Sequence, residues 1–303
     1  FDVHHMGYTF PFGKYDAMFD TTEKLTDYGS AKDQTMKVFR RENGAYGQIA
    51  RHVGKDRPII AHEVCHYTAF RDYYKLKEKF EEYGVEAPWW VDEEIKLFDA
   101  KGLRERFDRM SSATKAFQFM SWKIALEAIR RSSILNGYHM LQLSDTDKYE
   151  NSNGILDCFD DETGIDREDF LRFNGDTVVL ADLPVRSFFG GDVLEIPVMV
   201  SNFSQISYGD CVLTYELIEA ATGAVVISDT LDGINLDGKG RIPLCRLKLQ
   251  LPLREDPVKY ELVLSIRSEN HTISNHWGIW SYVNQPHAAE FADTSIAMKQ
   301  YHV

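Results

Sequence analysis

Apolar positions keep two different periods along this chain. Up to about residue 175, short apolar runs alternate with longer segments whose apolar residues recur every three or four positions; beyond about 176, apolar and polar positions alternate one by one. The clearest helical pattern follows Ser111 and Ser112, which can cap a helix carrying Ala113, Phe117, Met120, Ile124 and Ala128 on one stripe. It ends at Arg130 and Arg131, before Asn136-Gly137. Helices are also predicted over 70 to 83, over 91 to 108 after Pro88-Trp89-Trp90, and over 166 to 173. Between them PIIAHE and GYHMLQLSD are short, rich in β-branched or aromatic residues and bounded by Pro or Gly, which predicts strands. Strands joined by long helical connections pair in parallel, in an α/β layer or barrel, and place polar groups at their C-terminal ends. Here those ends are His62-Glu63 and Gln142 to Asp145.

The second half reads DVLEIPVMVSNF, CVLTYELIEA, AVVISDT, RIPLCRLKLQL, KYELVLSIRSE and HTISNHWGIWSYV, with Gly190-Gly191, Gly209-Asp210, Thr222-Gly223, Asp237-Gly238 and Asp256-Pro257 between the runs. That pattern predicts an all-β sandwich, immunoglobulin-like in size and strand count, over 176–284. Trp277 and Trp280, alternating with Ile279 in its last strand, are assigned to the sandwich core, and the tail over 285–303 has no clear period.

At 303 residues, 44% hydrophobic and 13% aromatic, the chain can bury at least one large core. A formal charge of −13 repels phosphate backbones and anionic lipid, so neither nucleic acid nor a membrane surface is an expected partner. No apolar run approaches the roughly 18 to 20 residues that span a bilayer. The chain opens on Phe1 directly into FDVHHMGY, which reads as part of a folded element and hence as a piece of a longer polypeptide. Cys65, Cys158, Cys211 and Cys245 form no C-x-x-C pair, so buried or half-buried thiols are expected and the compartment stays open.

Candidate chemistry concentrates in RPIIAHEVCHY, residues 57 to 67, where His62, Glu63 and His66 have the spacing H-E-x-x-H. On a helix that spacing puts two imidazoles on one face and reads as a zinc peptidase, with Glu93 or Glu94 available as third ligand. On a strand, Glu63 is instead a rigid strand-end carboxylate suited to nucleophilic glycosyl transfer, with His5, His62, His66 and Tyr67 as donors to sugar hydroxyls. The strand reading, with no metal and no cofactor, is preferred. Trp89-Trp90 can serve as a sugar-stacking wall or as a staple at a helix start. Asp157, Asp160, Asp161, Glu162 and Asp166 crowd the run LDCFDDETGIDRED without the D-x-D-x-D-G spacing of a calcium loop.

RPIIAHEVCHY, followed some seventy residues later by LNGYHMLQLSD, resembles the seventh and eighth barrel strands of glycoside hydrolase family 2, the group containing β-galactosidase and β-glucuronidase. FDVHHMGY with YDAMFDTTEKL looks like strand six and its loop. GILDCFDD, REDFLRFN and the β-region ending NHWGIWSY look like the barrel exit and C-terminal β-domain. The resemblance implies the C-terminal portion of a TIM (β/α)8 barrel over 1–175 followed by the immunoglobulin-like sandwich. It matches Glu63 to the nucleophile and Asp145 to the polar end of strand eight; Gln142, at the same strand end, and Trp89, as a stacking ring, are assigned to the substrate from the residues alone. The family's Asn-Glu pair, which carries the general acid, is absent here; Glu42-Asn43 has the reverse order, so the acid is expected upstream of Phe1. Leu141, Gln142 and Leu143 stand where the family has Trp, and Cys65 and His66 replace small or aromatic residues.

The implied reaction is retaining hydrolysis of a terminal β-linked sugar from an oligo- or polysaccharide, with Glu63 forming the covalent glycosyl-enzyme. Glu63 must be ionised for this, so donors such as His62 or Tyr67 are expected to lower its pKa against desolvation. The piece alone is expected to be feebly active. A non-catalytic carbohydrate-binding protein on the same fold is the alternative of a different class.

Overall fold

The computed structural model describes residues 2–5, 59–132, 135–148, 150–183 and 185–283. The segment YDAMFDTTEKL, Glu42-Asn43 and the tail over 285–303 lie outside them. The chain divides into two compact units, Phe1–Gly175 and Asp176–Val303.

In the first unit, β1 (Asp2–His5), β2 (Ile59–Val64) and β3 (Leu135–Met140) form a parallel sheet in the order β1-β2-β3. The long connection from β2 to β3 carries three helices. The first is α1 (Tyr73–Glu82), capped by Asp72, whose side chain accepts from the Lys75 backbone N–H. Next comes α2 (Trp89–Ala100), followed by a break at Gly102, where φ is +64°, a backbone state that glycine takes without a Cβ penalty. A single 3-10 turn (Arg104–Arg106) then leads into α3 (Phe107–Arg131). A fourth helix, α4 (Arg167–Asn174), closes the unit, with Asp166 as its cap.

The long helix corrects two expectations. It starts four residues before Ser111, so Ser111 is an interior residue whose hydroxyl donates to the Phe70 carbonyl at 2.7 Å. Its buried face is also not the stripe of Phe117 and Met120, which are 47% and 38% exposed. Gln118, Ser121, Trp122, Ala125 and Ile129 point inward instead. Three of those five residues are polar or carry a polar edge, because this face makes hydrogen bonds as well as apolar contacts, and a purely apolar template therefore reads the wrong side.

Among the described residues, two cores hold the unit. Trp122, Leu126 and Ile129 of α3 pack with Val64 and Cys65 at the end of β2 and with Phe173 of α4. Tyr73, Trp90, Phe98 and Phe107 form the other, with Phe98 and Phe107 edge to face at 4.9 Å between ring centroids.

The second unit is a sandwich of two sheets. One has the order β5 (Ser187–Phe189), β11 (Thr272–Tyr282), β10 (Val258–Arg267), β7 (Asp210–Glu219) and β8 (Val225–Asn235). The other has β4 (Thr177–Ala181), β6 (Val193–Asn202) and β9 (Gly240–Gln250). Alternation fills the space between them: Leu194, Ile196, Val198 and Val200 face Leu213, Leu217, Leu262, Leu264, Trp277 and Ile279 within one core. Trp280 is corrected by the same rule. One residue from Ile279, it falls on the outer face, 38% exposed, with the Lys259 ammonium 5.5 Å from its ring centroid.

Candidate functional site at the C-terminal edge of the parallel sheet

Because β1, β2 and β3 run in parallel, their C-terminal ends share one edge. The register pairs His5 with His62 and Val64 with Met140, so the backbones of His5, His62 and Glu63 and the residues that follow Met140 meet there. H-E-x-x-H therefore begins on a strand. Residues 59–64 are extended and 65–72 contain no helix, so the zinc reading loses the helical turn that would bring both imidazoles to one metal.

The strand is irregular at the residue of interest. Against β3, Ala61 pairs with Tyr138 and Val64 with Met140, so three steps on β2 match two on its neighbour; one extra residue is accommodated across His62-Glu63. That is a β-bulge, a device that re-aims a side chain at the rim of a sheet. Glu63 has φ +54° and Cys65 φ +70°, left-handed values that residues other than Gly, Asn and Asp seldom take. Each costs on the order of 1–3 kcal/mol and persists only where the surroundings enforce it.

The surroundings do enforce it. The Cys65 carbonyl accepts from Trp122 Nε1 at 2.9 Å and from the Tyr67 backbone N–H at 2.8 Å, and the Val64 carbonyl accepts from the Leu141 N–H at 2.9 Å. Val64, Cys65 and Trp122 are buried to 1% exposure or less. Farther along, Gln118 Nε2 donates to the carbonyls of Tyr67 and Ser152, and the Ala69 N–H donates to the Ser152 carbonyl at 3.0 Å. The loop after β2 is thereby fastened to α3 and to the loop after β3, while Glu63 itself stays half-buried.

Gln142, His66 and the pair Asn151 and Asn153 form a polar cluster at this edge. His66 Nε2 donates to Asn151 Oδ1 at 3.1 Å, Gln142 Nε2 donates to the Asn151 carbonyl and to Asn153 Oδ1 at 3.3 Å each, and Asn153 Nδ2 returns a bond to the Leu141 carbonyl at 3.0 Å. The Leu141–Gln142 peptide is cis. Tyr67 is half-buried and leans on the Trp122 core.

Two expected site residues take other duties. Asp145 was assigned to substrate; its side chain is 7% exposed and its carboxylate is occupied by Arg71 Nε at 2.6 Å and the Gly154 N–H at 2.6 Å, so it holds the loop in place. The tryptophan pair splits. Trp90 is the staple, 4% exposed, with Nε1 donating to the Asp147 carbonyl at 3.0 Å, and Trp89 stands out at 66% exposure on the first turn of α2. In the acidic run, the Asp157 carboxylate accepts from the N–H groups of Phe159 and Asp161 and from the Lys79 ammonium, which also pairs with Asp161.

Gln118, Asn151, Asn153 and Arg71 were not anticipated. The one available signal was a polar Gln118 beside the apolar positions of an amphipathic helix. Arg71 reaches Asp145 across 74 residues and Asn151 reaches His66 across 85.

Cys65, two residues from Glu63, is not a rival nucleophile. Burial pushes its thiol far above the ordinary range, and burial with the neighbouring Asp157 charge pushes Cys158 up to about 11. At pH 8 about one part in a thousand of Cys158 is thiolate, and less of Cys65. Native protein should therefore label slowly at both thiols with iodoacetamide at pH 8, and Cys158 labelling should rise about tenfold per pH unit up to pH 10. Rapid stoichiometric labelling of Cys65 in folded protein at pH 8 would contradict its burial.

Residues 192–283, most of the sandwich, match a family model described as a domain of unknown function (DUF8488). No curated protein matches the chain. Among solved structures, a β-D-mannosidase from Dictyoglomus thermophilum is similar over 59% of this chain and 21% of its own, at 12% identity and TM-score 0.40. An exo-chitosanase from Amycolatopsis orientalis is similar over 53% and 18%, at 12% identity and TM-score 0.38. A β-glucuronidase from Parabacteroides merdae is similar over 29% and 11%, at 21% identity and TM-score 0.23. The chain thus spans between 11% and 21% of the length of these enzymes, whose activities are theirs.

Proposed function

We propose that this chain contributes the nucleophile of a retaining β-glycosidase, and that Glu63 is that nucleophile. The observation that carries the reading is the backbone of Glu63: a left-handed residue inside a β-bulge, at the C-terminal end of the middle strand of a parallel sheet. Strain of this kind has no role in the sheet itself, since a regular strand would serve it better, and sites that hold a reacting group are where such strain is kept. The likeness of RPIIAHEVCHY and LNGYHMLQLSD to the last two barrel strands of glycoside hydrolase family 2 points the same way. On this reading β1, β2 and β3 are strands six to eight of a (β/α)8 barrel and the second unit is an immunoglobulin-like domain.

In the reaction, a Glu63 oxygen attacks the anomeric carbon as the bond to the leaving oxygen breaks, and that oxygen takes a proton from a second carboxyl about 5 to 5.5 Å from the first. Water then attacks the glycosyl ester and restores the carboxylate. On this reading His66 and Gln142, held by Asn151 and Asn153, would bind sugar hydroxyls, and the exposed ring of Trp89 would stack on a pyranose face.

Two displacements leave the anomeric configuration unchanged. Proton NMR of the hydrolysis of 4-nitrophenyl β-glycosides should show the β-hemiacetal forming first, followed by mutarotation. An α-product formed first would exclude a covalent intermediate on Glu63.

A further inference from the structure

The segment from Glu63 to Cys65, left-handed at both ends, is gripped by two donors from other elements. The Val64 carbonyl accepts from the Leu141 N–H at 2.9 Å, which continues the pairing of Val64 with Met140 and is a backbone bond open to any residue except proline at 141. The Cys65 carbonyl accepts from the Trp122 indole N–H at 2.9 Å, a bond that depends on the side chain. The Tyr67 N–H, 2.8 Å from the same oxygen, lies two residues along the same loop and turns with it, so it does not tie the loop to α3.

Trp122 is a fixed donor. It is fully buried on α3, in one core with Val64, Cys65, Leu126 and Phe173, and the Phe170 ring meets it edge to face at 6.2 Å between centroids. An indole offers one donor and no acceptor, so at this burial its N–H needs the Cys65 carbonyl. Rotation about φ at Cys65 away from +70° would carry that carbonyl off and orphan the donor, at a cost of the same order as the strain it would relieve. The hydrogen bond therefore holds the strained backbone, two residues from the Glu63 carboxylate.

We propose that Trp122 is a positioning residue for the nucleophile: by holding the Cys65 carbonyl, its indole N–H keeps residues 63–65 in their left-handed state and so aims the Glu63 carboxylate. The proposal rests on the reading of Glu63 as nucleophile. Trp122 has no exposed surface with which to touch a substrate, so it acts through the backbone of β2. The same geometry names a rescue. Position 65 has a φ that glycine takes without strain, so Cys65→Gly removes the penalty that the Trp122 bond holds in place.

The test measures how fast a dinitrophenyl 2-deoxy-2-fluoro-β-glycoside labels Glu63 in a polypeptide that carries this chain and hydrolyses β-glycosides. Trp122→Phe should lower the limiting rate of labelling by about 10²-fold, the scale of a misplacement of about 1 Å, and leave the half-saturating concentration within a few-fold. Trp122→Phe with Cys65→Gly should regain at least about tenfold of that loss, whereas a merely structural role for Trp122 predicts a second loss from the smaller core residue. Benzothienylalanine at position 122 keeps the bicyclic ring and lacks the N–H, so it should reproduce the loss and replaces Trp122→Phe if that variant fails to fold. A wild-type labelling rate in either folded variant without the N–H, or no recovery with Cys65→Gly, would overturn the proposal alone. Wild-type protein that forms no adduct on Glu63 overturns the nucleophile reading and this proposal with it.

Discussion

In a polypeptide that carries this chain and hydrolyses β-glycosides, Glu63→Ala should lower turnover of an activated β-glycoside by on the order of 10⁴-fold or more, the scale seen when a covalent nucleophile is removed. A loss of this size can also come from a damaged fold, and chemical rescue separates the two. Azide is small enough to enter the space left by the carboxylate and attacks from the same face, so Glu63→Ala with sodium azide and a dinitrophenyl glycoside should yield the α-glycosyl azide. The leaving group needs no proton, so this step tests Glu63 alone. Unimpaired turnover by Glu63→Ala would show that the strained backbone at Glu63 serves something else.

The second large effect concerns the clamp beneath the site. Arg71 and Asp145 are almost fully buried, with side chains 4% and 7% exposed, and they join the loop after β2 to the loop after β3. Removing one partner leaves the other charge buried and uncompensated, so Asp145→Ala should destabilise the first unit by about 3–5 kcal/mol. Gly154→Ala probes the same joint without removing a charge. A Cβ there would lie 2.5 Å from the Leu156 carbonyl oxygen and 2.6 Å from the Asp145 nitrogen, both backbone atoms that cannot swing aside. Overpacking of this kind costs about 1–3 kcal/mol. Urea unfolding and amide exchange over 141–157 measure both variants. A loss below about 1 kcal/mol for Asp145→Ala would mean the pair is solvated and does not hold the loops.

How far these features were legible depended on the range of the physics behind them. Strict alternation carries its own register, so β6, β7, β9, β10 and β11 coincide with runs visible in the sequence, whereas the short β4 and β5 do not stand out. Trp280 lies on the outer face because parity with the buried Ile279, and not the bulk of its ring, decides the face. In α3 the apolar stripe through Phe117 and Met120 hid the inward face of Gln118 and Trp122, whose polar atoms have partners far off in the chain. The pattern His62-Glu63-x-x-His66 fits a strand or a helix equally, and no Gly or Asn marks the left-handed turn at Glu63 and Cys65. That conformation is imposed by Trp122, Gln118 and Leu141, and only three-dimensional packing brings them to the strand end.

Covalent trapping tests the central claim most directly. The chain, and any longer polypeptide carrying it, would be incubated with dinitrophenyl 2-deoxy-2-fluoro-β-glycosides of the gluco, galacto and manno series and analysed by intact and peptide mass spectrometry. The account predicts one fluoroglycosyl adduct on Glu63 with at least one of these sugars, absent from Glu63→Gln. An adduct on a different carboxylate, or none with any of the three in a polypeptide that hydrolyses β-glycosides, would contradict it.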